Sequence, residues 1–178
     1  AVWRSGFSER MLAYRREHDL NMLPEPPAVL VQLMIDADVS GVAFSADPVT
    51  GQRGIAIINA LYGLGTALVS GECDADTYAV DRSGAILTRT LANKTIAHRH
   101  GRSIANENEA PTEGVHPVPV PAELATQPAL EDEQIREVVE LVRRCEQHFG
   151  SPQDIEWGMV KGQLFLLQSR PITALASM

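Results

Sequence analysis

Ser151-Pro-Gln-Asp-Ile-Glu-Trp-Gly-Met-Val-Lys-Gly-Gln-Leu-Phe-Leu-Leu-Gln-Ser-Arg-Pro-Ile-Thr173 decides how this chain is read. Two short apolar-rich runs, 154–160 and 164–170, flank Lys161-Gly162-Gln163, the pattern of a β-hairpin. The side chains argue for its register. A two-residue loop at Lys161-Gly162 pairs Val160 with Gln163 and sends Glu156 and Gln168 to opposite faces. A three-residue loop pairs Val160 with Leu164, which sets Glu156 across from Gln168 and Asp154 across from Arg170. It also gathers Ile155, Trp157, Met159, Phe165 and Leu167 on one apolar face. A slip of one residue would mix the two sets, so the apolar pattern predicts the three-residue loop.

Two readings of the polar face compete. A carboxylate and an amide oxygen on neighbouring strands, beside a second carboxylate and an Arg, suit a magnesium–phosphate site, because Mg²⁺ takes few hard oxygen ligands from protein. The Arg would supply a rigid fork for phosphate oxygens. The alternative is a solvated face with an ordinary Asp–Arg cross-strand pair, and spacing alone favours it.

The motifs Gln153-Asp-Ile-Glu-Trp157 and Leu167-Gln-Ser-Arg-Pro-Ile-Thr173 shift that balance. They resemble the close of the nucleotide-binding domain in the phosphoenolpyruvate synthase and pyruvate phosphate dikinase family, a domain that rifampin phosphotransferases share. The resemblance continues in order through Val31-Gln-x-Met34, Ser40-Gly-Val-Ala-Phe-Ser-x-Asp-Pro-x-Thr-Gly51, Tyr62-Gly-Leu-Gly65, Val69-Ser-Gly71 and His148-Phe-Gly150. It implies an α+β fold of the ATP-grasp type, mostly antiparallel sheet with packed helices. It also implies ATP and Mg²⁺ as ligands, with Glu156 and Gln168 on the metal, Asp154 supporting metal or nucleotide, and Arg170 on the transferring phosphoryl. Gln32, Leu33 and Met34 match the strand that edges the adenine pocket, although core packing explains Leu33 and Met34 equally well. One departure stands out. The family commonly carries Glu directly after the position of Gly65, and this chain has Thr66.

The 178 residues, 44% of them hydrophobic, suffice for one domain, 1–178. A net charge of −8 argues against nucleic acid or an anionic membrane as a bulk partner, though not against ATP. Cys73 and Cys145 are too few for a disulfide framework, and no apolar run reaches membrane-spanning length, which suggests a cytoplasmic protein.

Along the chain, Ser8 is placed to cap a helix to about His18 with Met11, Leu12 and Arg15 on its buried face. This start resembles a segment well inside complete family members, so the N-terminal part with its phosphate loop and Lys is expected to be missing. The run 29–35 reads as a strand buried on both faces. Residues 40–44 and 54–60 read as a strand pair, 66–70 as a short helix, and 74–81 with 85–91 as a second hairpin. The basic run His98-Arg-His-Gly-Arg102 reads as a solvated loop. Residues 103–129, rich in Asn, Glu, Pro and Thr, read as a mobile surface excursion. Residues 131–149 repeat apolar side chains at three and four, a helix that packs on the hairpin's apolar face. The predicted core comprises Val31, Val42, Ile57, Val139, Val142, Ile155, Trp157 and Phe165.

Two functions from different classes follow. The first is the ATP-binding part of a dikinase-type phosphotransferase, which passes phosphoryl to a histidine on a separate swivelling domain; the isolated chain is then expected to be inactive. The second is a truncated, non-catalytic nucleotide-binding or interaction module, consistent with Thr66.

Overall fold

The computed structural model describes residues 2–17, 19, 28–103 and 112–172. The chain divides into two compact units, Ala1–Met34 and Ile35–Met178. The first holds α1 (Val2–Ser5) and α2 (Glu9–Glu17). Ser8 Oγ accepts a hydrogen bond from the Met11 N–H at 3.3 Å, as a capping serine should. The expected buried stripe is absent: no residue of α2 is buried, Met11 is exposed, and Leu12 and Arg15 are half-buried. The strand expected at 29–35 is likewise not formed. Residues 28–37 have no regular structure, and Val31, placed in the core by its sequence, is 90% exposed. A continuous apolar run becomes a doubly buried strand only where both its edges and faces find partners, and among the described residues no strand pairs with it.

The second unit is built on alternation. In β1 (Val39–Phe44), β2 (Ile55–Tyr62) and β3 (Asp76–Asp81), buried and less buried side chains largely alternate, whereas β4 (Ile86–Thr90) is mostly exposed. With β7 (Gln153–Val160) and β8 (Gln163–Pro171) they form a six-stranded sheet in the order β4-β3-β2-β1-β7-β8. Every pairing in it is antiparallel, and the architecture is α+β, of the kind an ATP-grasp-like fold requires. Helix α3 (Thr66–Val69) follows β2. A separate two-stranded ribbon pairs β5 (Ile96–Ser103) with β6 (Thr112–Pro119). Two of the sequence expectations change here. The basic run belongs to β5, with His98 buried, and part of 103–129 forms β6 and α4 (Ala122–Ala125). Pro117 and Pro119 disguise the strand, yet proline is admissible in a ribbon whose outer edge needs no N–H donor. The rest of that span, 104–111, lies outside the described residues.

Helix α5 (Asp132–Phe149) covers one face of the sheet. Glu131 and Gln134 form a capping box, and Gly150 ends the helix in the left-handed conformation at φ 69°. Ile135, Val138, Val139, Val142 and Cys145 are its buried stripe, packed on Ala43, Ile58, Tyr78, Ile155, Trp157 and Met159. Burying that stripe contributes on the order of 10 kcal/mol before the cost of chain ordering. Val139, Val142, Ile155 and Trp157 are thus in the core as expected. Val42, Ile57 and Phe165 are only half-buried, because the register turns them to the opposite face.

Candidate functional site

The β7–β8 turn has two residues, not three. Val160 pairs with Gln163, and Lys161 and Gly162 both take positive φ, 50° and 78°. That is the type I′ geometry whose twist matches a right-handed ribbon, and Gly162 supplies it without strain. The Lys161 N–H is tied down by Asp38, whose Oδ2 accepts at 2.7 Å. A two-residue turn alone would separate Glu156 from Gln168. Leu167 prevents that by bulging: the pairing steps from Trp157 with Leu166 to Glu156 with Gln168. Past this extra residue Asp154 pairs with Arg170, so the polar quartet stands together. The two-residue turn also explains Phe165, which pairs with Gly158 on the quartet's face, not Trp157's. A Cβ on Gly158 would approach the Ile35 Cδ1 to 2.8 Å, so the tip of that side chain would have to shift.

Within the quartet the roles divide. Arg170 donates from Nε and Nη2 to the same Asp154 oxygen, Oδ2, each at 2.8 Å. Asp154 is nearly enclosed while the Arg170 side chain is 68% exposed, so the carboxylate aims a guanidinium whose outer edge remains open. The Glu156 and Gln168 side chains make no hydrogen bond or ion pair among the described residues. Their Cβ atoms are roughly 5 Å apart, as direct cross-strand partners are. A half-buried carboxylate beside an amide oxygen offers two hard donors to one cation. Among the described residues no group of three or more His, Cys, Asp or Glu could hold a metal. A cation here would therefore draw most of its ligands from water and phosphate, which suits Mg²⁺ and not Zn²⁺.

The same face continues across the sheet. Val42 lies opposite both Glu156 and Asn59, and the Asn59 amide donates to Thr77 Oγ at 2.8 Å. A cavity of about 30 Å³ beside Glu156 is walled by Gly41, Val42, Gly65, Leu68 and Leu167. Gln32, Leu33 and Met34 belong to the first unit, where their side chains are exposed.

A model of the pyruvate phosphate dikinase AMP/ATP-binding domain matches residues 1–178. The chain belongs to that family. It is 42% identical over 173 residues to a rifampicin phosphotransferase of Streptomyces sviceus, covering 97% of this chain and 19% of that protein. It is 39% identical over 176 residues to a probable phosphoenolpyruvate synthase of Methanothermobacter thermautotrophicus, covering 97% and 24%. A rifampicin phosphotransferase of Bacillus subtilis is 36% identical over 173 residues, covering 97% and 19%. The chain thus spans about a fifth to a quarter of the length of these relatives. Among the described residues no helix is long and apolar enough to cross a membrane.

One arrangement in this dikinase-family chain was not legible in its sequence. The His98 ring, 9% exposed, stands between two side chains, with Nδ1 2.8 Å from Thr66 Oγ and Nε2 3.2 Å from Glu72 Oε2. The β5 backbone holds it there. His98 O accepts from the Leu64 N–H at 2.8 Å, and an added Cβ on Gly63, at φ 80°, would come within 2.3 Å of that oxygen. The one available hint was the alternation of His98 and His100 on one side of a possible strand.

Proposed function

We propose that this chain is the ATP-binding part of a dikinase-type phosphotransferase, in which phosphoryl passes from ATP to a histidine on a separate swivelling domain. The observation that carries this is the unpartnered Glu156–Gln168 pair, set in register beside an Arg170 aimed by Asp154. Membership of the AMP/ATP-binding family and the phosphotransferase names of its relatives support it.

In this reading Glu156 and Gln168 hold Mg²⁺, which when bound compensates charge on the phosphates. Asp154 keeps the Arg170 fork turned outward, where its free N–H groups bind oxygens of the transferring phosphoryl group. Phosphoryl transfer needs little covalent help from protein; positioning and charge compensation supply most of the acceleration. Gln32 would offer its amide to the adenine edge, with Leu33 and Met34 against the ring. Further phosphate contacts, including the phosphate loop and Lys, and the accepting histidine would come from the rest of the longer protein. The final acceptor would be chosen there too. We assign the reaction to the cytoplasm, where ATP is supplied and where Cys73 and Cys145, both free thiols, stay reduced.

Titration with MgATP tests this. Wild-type protein should give a saturable heat, and Glu156→Ala should weaken binding of MgATP far more than that of metal-free ATP. Equal heats from wild type and variant would remove the metal-site reading.

A further inference from the structure

We propose that Thr66 is a phosphoryl-accepting hydroxyl, activated by His98 and oriented through Glu72. The inference rests on the reading that ATP binds beside Glu156. Its basis is the carboxylate–imidazole–hydroxyl chain itself, Glu72 to His98 at 3.2 Å and His98 to Thr66 at 2.8 Å. A nucleophile within hydrogen-bond reach of a base, which is itself held by a third group, is the general signature of an activated hydroxyl. Pairing with the carboxylate favours the tautomer that donates from Nε2 to Glu72, which leaves the Nδ1 lone pair to accept the Thr66 proton.

The surroundings suit this role. His98 is buried and gripped at its backbone, so the base is held in place, whereas Thr66 is exposed and open to a reactant. Thr66 directly follows Gly65, which lines the same small cavity as Glu156. A phosphoryl group held at Glu156 would therefore lie beside the backbone that leads into Thr66. An exposed threonine can be satisfied by water and has no structural need of a buried histidine.

In the step, Thr66 Oγ attacks the γ-phosphorus of ATP and an Oγ–P bond forms. The bond from phosphorus to the β–γ bridging oxygen breaks, and its electron pair leaves with ADP. The hydroxyl proton passes to His98 Nδ1, and Glu72 stabilises the resulting imidazolium. The products are ADP and a phosphothreonine, which is stable to acid, unlike a phosphohistidine.

The test is incubation of the whole protein with γ-labelled MgATP, followed by acid quench and peptide mapping by mass spectrometry, with MgATP binding measured alongside. Acid-stable phosphate on Thr66 is expected. Thr66→Val should abolish it while MgATP binding stays within about twofold, and Thr66→Ser should still carry label at that position. Replacing the base, His98→Gln, should slow labelling by roughly 100-fold or more. Glu72→Gln alters an exposed side chain, cannot unfold the ribbon, and should slow labelling by about tenfold. Binding of MgATP without label on Thr66 overturns this inference alone, as does label that persists at full rate in both the His98 and Glu72 variants. No binding of MgATP overturns it together with the proposed function.

Discussion

Two carboxylate–cation pairs in this sheet are put to opposite uses. Asp76 and Lys94 are 0% exposed, 2.6 Å apart, and every neighbour is committed to them. Asp76 accepts from the Ala92 and Ala129 N–H groups and from the Tyr78 hydroxyl, and Lys94 donates to Ala92 O and lies 5.6 Å from the Tyr62 ring centroid. Burial, and then the Asp76 charge, raise the Tyr78 phenol above its ordinary pKa. The pair joins β3 to the connections that precede β5 and α5, and nothing is left over for a ligand. Asp154 and Arg170 have the same chemistry at 2.8 Å, but the cation stands mostly in solvent. The difference teaches where to look for function: a sealed pair is architecture, whereas a half-open one keeps donors for something that is not protein.

The comparison can be broken most forcefully at the sealed pair. Asp76→Ala strands an ammonium and two backbone N–H groups, and should cost about 4 kcal/mol in denaturant melts. Lys94→Met should cost less, because the Asp76 carboxylate keeps three donors; a larger loss than for Asp76→Ala would refute the idea that Asp76 is the hub. Next come Glu156→Ala and Gln168→Ala, each expected to raise the barrier to phosphoryl transfer in the whole protein by roughly 3 kcal/mol. Their melts should move by no more than on the order of 0.5 kcal/mol, since neither side chain fills the core. Full activity in both variants would return the quartet to an ordinary solvated face. Arg170→Lys should cost roughly 2 kcal/mol of transition-state stabilisation, because an ammonium cannot hold Asp154 and present a planar fork together. A counterpart with both partners open to solvent closes the series. Arg89 and Asp132 are 2.5 Å apart with side chains 35% and 54% exposed, and Arg89→Ala should change stability by less than about 1 kcal/mol.

How legible was this from residues alone? The composition of the quartet was, because period-two alternation and the hairpin turn leave few registers. The route to it was not. Counting residues showed that one extra residue was needed between Glu156 and Gln168, and the loop was the obvious place. Backbone physics put it at Leu167 instead, because Lys161-Gly162 already makes the turn whose twist the strands prefer. Helix α5 was legible through its long apolar stripe, as long amphipathic elements generally are. The run 29–35 misled because hydrophobicity records a wish for burial, not the presence of a partner. The His98 arrangement joins residues 26 and 32 positions apart through backbone contacts at Gly63 and Leu64, which no local pattern encodes.

The bulge at Leu167 has a consequence for how this hairpin can change over time. A ribbon counts its residues by parity, and here the turn contributes an even number and the bulge restores the odd one. Turn and site are consequently decoupled. Removing Leu167 alone would erase the bulge and leave Gln168 opposite Glu156 and Arg170 opposite Asp154 in a regular ladder, and adding one residue beside Gly162 as well would only lengthen the loop to three residues. Families that carry this hairpin have two interchangeable positions for a single inserted residue, so a lineage could move it from one to the other through a paired indel and keep the same four side chains facing outward.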